Sequence, residues 1–192
     1  MSEIIFEECS DFGYRTRTEQ NIIQTDGTLM VYVDGYTGGE CLTRNLCIKH
    51  KKPRFEIDWT KDSDELNIQL HKAILWMNKN NIQKLNIAGN GLYTWYKYKT
   101  FYTQERVNDV MNTIMNFLDQ EDQGKYSLDA IIKLIQSGGQ SGIDEAAIIW
   151  AINNKYPIPA KVIAPKGWVF RDITGKDIVS ENLFKERFKC KF

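Results

Sequence analysis

The stretch LIQSGGQSGIDEAAIIWAI, residues 134–152, reads as a strand, a tight glycine turn and a helix. An apolar run over residues 131–135 leads into Ser137-Gly138-Gly139-Gln140-Ser141-Gly142. Ile143, Ala146, Ala147 and Trp150 then fall on one side of a helical pattern. Glycine lets backbone approach a ligand with no Cβ in the way. The following helix offers unpaired N–H groups and the positive end of its dipole to an anion. A phosphate or another oxyanion is the natural guest. The Gly-Gly-x-x-Gly spacing is neither the P-loop, which needs Gly-Lys-Ser/Thr, nor the dinucleotide fingerprint. A turn that only packs a helix on a sheet has the same pattern, so both readings stay open.

Two further units of the same kind lie upstream. Residues 28–33, Thr-Leu-Met-Val-Tyr-Val, form a β-prone run that ends in Asp34-Gly35-Tyr36-Thr37-Gly38-Gly39, and a helical pattern carrying Leu42, Leu46 and Cys47 covers residues 40–51. Residues 84–89 read as a strand ending in Gly89, with Asn90-Gly91 continuing the turn. Residues 3–8 suit a short edge strand, 14–22 a short helix, 54–58 a strand and 160–164 another. Asp62 or Ser63 caps a helix with Leu66, Leu70, Ile74 and Met77 inward, and Thr103 caps one running to Leu118. The alternation of strand and helix implies a parallel sheet with helices on both faces. Ligands in such sheets sit beyond the carboxyl ends of the strands, at a switch point. Three glycine turns on that edge make the case for one composite site, with the loop Pro165-Lys166-Gly167-Trp168 beside it by position.

The remaining segments are less specific. LYTWYKYKTFY, residues 92–102, suits a packed hairpin, a partner surface such as a dimer interface, or a lid that stacks on a base. Residues 119–129 read as a polar connector, and Leu183, Phe184 and Phe188 as anchors of the tail. Formal net charge is zero and the lysines are scattered, so nucleic acid binding has no compositional support. The four cysteines lack metal-ligand spacing and suit reduced thiols in a cytoplasmic protein; no metal is expected. The opening MSEIIFEECSDFGY is acidic and unlike a signal peptide, and no stretch approaches the ~20 apolar residues of a membrane span. The 192 residues, 42% hydrophobic, suit one domain with a real core.

GGQSGIDEAAI, residues 138–148, resembles the GGQTGVDRAAL opening of the putative molybdenum carrier family, a branch of the SLOG/LOG-type Rossmann-like superfamily. Residues 14–58 resemble that family's middle through Arg17-Thr18-x-x-Asn21, Asp26-x-Thr28-Leu29 and Gly38-Gly39-x-x-Leu42-Thr43, and LNIAG at 85–89 resembles its closing LNVAG. The order differs, because the family's first motif comes here after its last. Circular permutation accounts for this: residues 1–118 match the family's middle and C-terminal part, 119–129 form the connector, and 130–192 match its N-terminal part. Permutation is tolerated at exposed loops when the old termini lie close together. The resemblance therefore implies a permuted, Rossmann-like SLOG domain. Asn90-Gly91 and the aromatic insertion replace the proline and arginine that follow the family's LNVAG.

The resemblance also implies a nucleotide or nucleotide-derived phosphorylated ligand, bound by a carrier, sensor or sequestering protein. Gly138, Gly139, Gln140, Ser141 and Gly142 would cradle phosphate, with Thr37, Gly38 and Gly39 facing them. Thr43 could donate a hydroxyl, and Arg15 and Arg17 could pair with phosphate or form internal salt bridges. Asp144 could bind a ribose hydroxyl or simply stabilise its helix end. Asn21, Gly89, Asn90 and Lys166 complete the candidate set. Replacing Gly139 with a bulky residue is expected to abolish anion binding and leave the fold intact.

Two alternatives stand beside this. One is carriage of molybdenum cofactor or an oxyanion. The other is a nucleotide-processing hydrolase: LOG-type relatives cleave N-glycosidic bonds with the glutamate of PGGxGTxxE, a position read here as Arg44. Glu40, Asp144 or Glu145 could supply a carboxylate instead. The lysine-, asparagine- and isoleucine-rich usage fits an AT-rich genome, a phage among the candidates.

Overall fold

The computed structural model describes residues 4–120, 131–155 and 157–189. Six strands form one parallel sheet in the order β1-β6-β5-β4-β2-β3: β1 (Ile4–Glu8), β2 (Gly27–Tyr32), β3 (Arg54–Asp58), β4 (Lys84–Gly89), β5 (Leu134–Ser137) and β6 (Ala160–Ala164). The connecting helices are α1 (Tyr14–Ile23), α2 (Gly38–Lys49), α3 (Ser63–Lys79), α4 (Leu92–Tyr98), α5 (Gln104–Gln120) and α6 (Ile143–Asn153), followed by α7 (Glu181–Glu186). A two-stranded antiparallel hairpin, β7 (Val169–Arg171) and β8 (Asp177–Val179), precedes α7.

The central strands read as continuous apolar runs because both of their faces are covered. In β2, residues 27–31 are all buried. Helix α5 packs against both α3 and α6, while α1 packs on α2 over a small separate cluster of Ile22, Leu46 and Cys47. Nearly all of α6 is buried, which explains why its sequence is apolar on every side. Asp62 is the cap of α3, its carboxylate accepting from the Asp64 and Glu65 N–H groups at 3.1 and 2.9 Å.

The chain moves from β5 to β6 toward one edge and from β2 to β3 toward the other, with β4 between β5 and β2. The carboxyl ends of β2, β4 and β5 therefore meet at the switch point. Strand β1 pairs with β6 and meets α7 and the turn after it: the Lys185 ammonium lies 5.4 Å from the Phe6 centroid, and the Phe6 and Phe188 rings lie 5.7 Å apart. A chain joined there and opened between α5 and β5 would have the unpermuted order.

Several local expectations change. The apolar run at 131–135 enters the sheet only at Leu134. Helix α2 begins at Gly38, so both glycines lie in its first turn rather than before it. Residues 92–98 are helix, not hairpin: Leu92 and Trp95 lie three apart on the inward face, and Trp95 is wholly buried with its indole N–H donating to the Asn90 carbonyl at 3.2 Å. Phe184 and Phe188 are buried as tail anchors, whereas Leu183 is exposed. The connector falls from residue 121 onward outside the described residues, and Asp119 and Gln120 end α5. Among the described residues no helix is long and apolar enough to cross a membrane.

Candidate ligand-binding cavity

A cavity of about 940 Å³ opens at the switch point. Val33 and Asp34 line it beyond β2, Ala88 and Gly89 at the end of β4, and Gly138, Gln140 and Ser141 beyond β5. Of the residues expected from sequence, it gathers these last four with Asp144, Thr37, Gly38, Gly39, Thr43, Arg17 and Asn21. Gly139, Gly142, Asn90, Arg15 and Lys166 lie outside it.

The loop after β5 is largely occupied by the protein itself. The Gln140 amide donates to the Val169 carbonyl at 2.8 Å and accepts from the Arg171 N–H at 3.1 Å, as a neighbouring strand would. The Ser141 hydroxyl donates to the Arg171 carbonyl. These two side chains hold the β7–β8 hairpin and bring Arg171 to the cavity wall. At the start of α6 lies the Asp144 carboxyl group, 5% exposed, which accepts from Arg17 Nη1 at 3.3 Å and from the Gln140 N–H at 3.4 Å. Burial raises the Asp144 carboxyl above its usual range, while the Arg17 charge pulls it back. Arg17 also donates to the Gly138 carbonyl at 3.0 Å. These internal contacts engage the Gln140 and Ser141 side chains and the Gly138 carbonyl, while Gly138, Gln140 and Ser141 still line the cavity.

Gly139 faces the core. Its φ is +68°, and a Cβ there would stand 2.5 Å from Val162 Cγ1 and 2.6 Å from Phe184 Cζ. A bulky residue at 139 must disturb the packing of α7, so the expected variant that binds no anion yet folds normally is not available at this position. From behind, Arg187 donates to the Gly139 carbonyl and pairs with Glu145, both at 2.6 Å, with its guanidinium 4.0 Å from the Phe170 centroid.

Residues 4–100 match the Circularly permutated YpsA SLOG family. The chain belongs to that family. The match settles the permutation inferred from motif order, and it covers β1 through α4, including the α2 end and the β4 turn. A solved structure of a putative molybdenum carrier protein from Syntrophus aciditrophicus SB is 27% identical, covering 55% of this chain and 58% of that one with a TM-score of 0.39. The chain thus spans little more than half the length of that protein. No protein of curated function matches.

In this SLOG protein the first turn of α2 is the helix end that the cavity reaches. Thr37 is its N-cap residue but its side chain caps no backbone N–H, turning instead to donate to the Glu40 carboxylate. A Cβ at Gly38 would meet nothing within 4 Å, so the helix end is open in front of that residue. Glu40 lines the cavity at 4% exposure. Burial drives its carboxyl up to about 7; its own backbone N–H and the Asn90 amide oppose the rise, and the Asp144 charge adds to it. The Thr37 and Glu40 spacing is that of a capping box, a signal available in the sequence. Thr43 lines the same wall, its hydroxyl donating to the Gly39 carbonyl at 2.9 Å.

Of the other wall residues, Tyr93, Lys97 and Tyr98 come from the 92–102 segment, for which a lid over a base is one of the sequence readings, while Tyr14 and Arg171 are not singled out there. Tyr14, Tyr93 and Tyr98 line the cavity with Lys97 and Arg171. Arg171 is bound to Asp177 at 2.8 Å and lies 5.8 Å from the Tyr14 centroid, while the Lys97 ammonium lies 4.6 Å from that of Tyr93. Asn90, 1% exposed, is a clamp between strand ends: its Oδ1 accepts from the Val33 and Asp34 N–H groups at 2.8 Å each, and its Nδ2 donates to the Asp34 carbonyl at 3.0 Å. Asn90→Ala strands three backbone groups and is expected to cost about 3 kcal/mol in urea unfolding; a loss under about 1 kcal/mol would mean water replaces the amide.

Arg15 is exposed on α1, and Lys166 is exposed with its ammonium 4.8 Å from the Phe12 centroid. Arg44 points to a smaller pocket beyond β3, paired with Glu56 at 2.7 Å. Counted without a gap from Thr37, the glutamate of PGGxGTxxE falls on Asn45 rather than Arg44; Asn45 is exposed, and neither residue supplies a carboxylate. Among the described residues no group of three or more His, Cys, Asp or Glu is gathered as for a metal ion.

Proposed function

We propose that this SLOG protein binds a nucleotide or nucleotide-derived phosphorylated small molecule in the switch-point cavity, as a carrier, sensor or sequestering protein. The carrying observation is that one cavity joins the open first turn of α2 to a wall of three tyrosines. Its volume of about 940 Å³ suits a small molecule. The helix end favours an anionic group, and tyrosine faces favour a flat ring. A molybdenum oxyanion, in keeping with the name of the putative molybdenum carrier protein, or a phosphorylated pterin cofactor would call on the same helix end.

A thermal-shift series with nucleoside phosphates, cyclic nucleotides, ADP-ribose, molybdate and a phosphorylated pterin tests this. A ligand at a hundred times its Kd adds about 2.7 kcal/mol, or roughly 5–10 °C in a protein of this size. Tyr93→Ala should remove most of the shift for a base-bearing ligand while the unliganded protein melts near the parent temperature. A flat series sinks the reading, and a shift with molybdate alone replaces it with oxyanion carriage.

A second reading, a nucleotide-processing hydrolase, is favoured by Glu40: a carboxyl near 7 on a cavity wall is a usable general acid. Incubation with nucleoside monophosphates and chromatography for free base tests it. Absence of release over hours at high protein concentration removes it.

A further inference from the structure

Glu40 sits three residues into α2 from its N-cap, and its carboxyl folds back onto the Thr37 hydroxyl and its own backbone N–H. It therefore lies over the turn where an anion would meet the Gly38 and Gly39 amides. An ionised carboxylate there is itself an anion at the helix end, and it only accepts hydrogen bonds. A phosphate oxygen brought beside it also only accepts. Two such groups in one place repel, and the pair is relieved when the carboxyl takes a proton and becomes a donor.

The charges acting on Glu40 are Asp144 of α6, with Arg17 of α1 bound to it, and Arg44 of α2 itself; the same cavity wall also carries Asp34 beyond β2, Lys97 of α4 over the Tyr93 ring and Arg171 of β7, which is paired with Asp177. Asp144 raises the proton affinity of Glu40, and Arg44, which lowers it, is committed to Glu56. Asn90 contributes a neutral amide whose Nδ2 already donates to the Asp34 carbonyl.

We infer that Glu40 meets the ligand's anionic group as a neutral acid, donating a hydrogen bond to it, so that the ligand and one solvent proton are taken up together. This rests on the binding reading proposed above. It makes Glu40 a specificity residue for anionic oxygen, with the proton drawn from bulk water. The buried setting that raises its carboxyl to about 7 places the change within the range in which the protein can be studied.

Sulfate and ADP-ribose are the probes, because neither titrates between pH 6 and 8. With sulfate, the Gly38 and Gly39 amide resonances of the ¹⁵N-labelled protein should shift saturably, with a dissociation constant about tenfold larger at pH 8 than at pH 6. Calorimetry with ADP-ribose in two buffers of different ionisation enthalpy should report uptake of close to one proton at pH 8. Glu40→Gln should bind both probes with the same affinity at either pH and without proton uptake. Equal affinity of the parent protein at pH 6 and 8, or zero uptake, overturns this inference and leaves the binding reading standing. Failure of both probes to bind at pH 6 overturns the two together.

Discussion

Gly89→Ala should lose at least about 3 kcal/mol of stability in urea unfolding, the upper end of what overpacking costs. Gly89 ends β4 opposite Val31 of β2, and α6 crosses directly above it. A Cβ built there would stand 2.0 Å from the Val31 carbonyl oxygen and 2.9 Å from Ile143 Cβ. The first of these is backbone at the last pair of the β2–β4 ladder, and it also accepts from the Asn90 N–H at 3.3 Å. It cannot yield without spreading β2 from β4 and opening the floor of the cavity. Gly38→Ala is the contrast, since its Cβ enters open space and an alanine in a helical turn restricts the unfolded chain; it should be neutral or stabilising by up to about 1 kcal/mol. Near-parental stability of Gly89→Ala would mean that the strand ends are looser than the ladder implies.

That contrast marks what was legible in the sequence. The runs in β2, β4 and β5 stand out because central parallel strands are buried on both faces, and at Gly89 and Gly139 the glycine admits a close neighbour: Val31 of β2 and Ile143 of α6 at the first, Val162 of β6 and Phe184 of α7 at the second. The sequence cannot tell a glycine that admits a ligand from one that admits a neighbouring element. Gly38 has open space before it, whereas Gly89 and Gly139 meet backbone or core side chains. Arg15 and Arg17 are separated by helical geometry: two residues are about 200° around α1, so only one of them can face the cavity. The contacts of Gln140 and Ser141 with the β7–β8 hairpin were not legible, because that hairpin is made of two three-residue strands, too short to leave a periodic signal. Tyr14 and Arg171, 157 positions apart, meet only through that hairpin.

Glu40→Gln should melt higher than the parent protein at pH 8 and close to it at pH 5. The carboxyl is raised by burial from an ordinary 4.5 to about 7 in the folded protein. Between those values the native state holds more protons than the unfolded chain, so stability falls as pH rises through the window, and above about 7 the full deficit is present. A shift of this size corresponds to about 3 kcal/mol, or roughly 6–12 °C for a chain of this length. Glutamine keeps an acceptor for the Thr37 hydroxyl and carries no charge, so it escapes the deficit without opening a hole. Melting curves of both proteins from pH 5 to 8 decide the matter. A gap that widens from pH 5 to 8 means that the folded protein carries Glu40 as an uncomfortable anion at high pH, which is the condition for taking up a proton with an anionic ligand. If the variant is instead the less stable at pH 8, the first turn of α2 stabilises the carboxylate by more than burial costs it. The neutral-acid role would then fall without any ligand having been added.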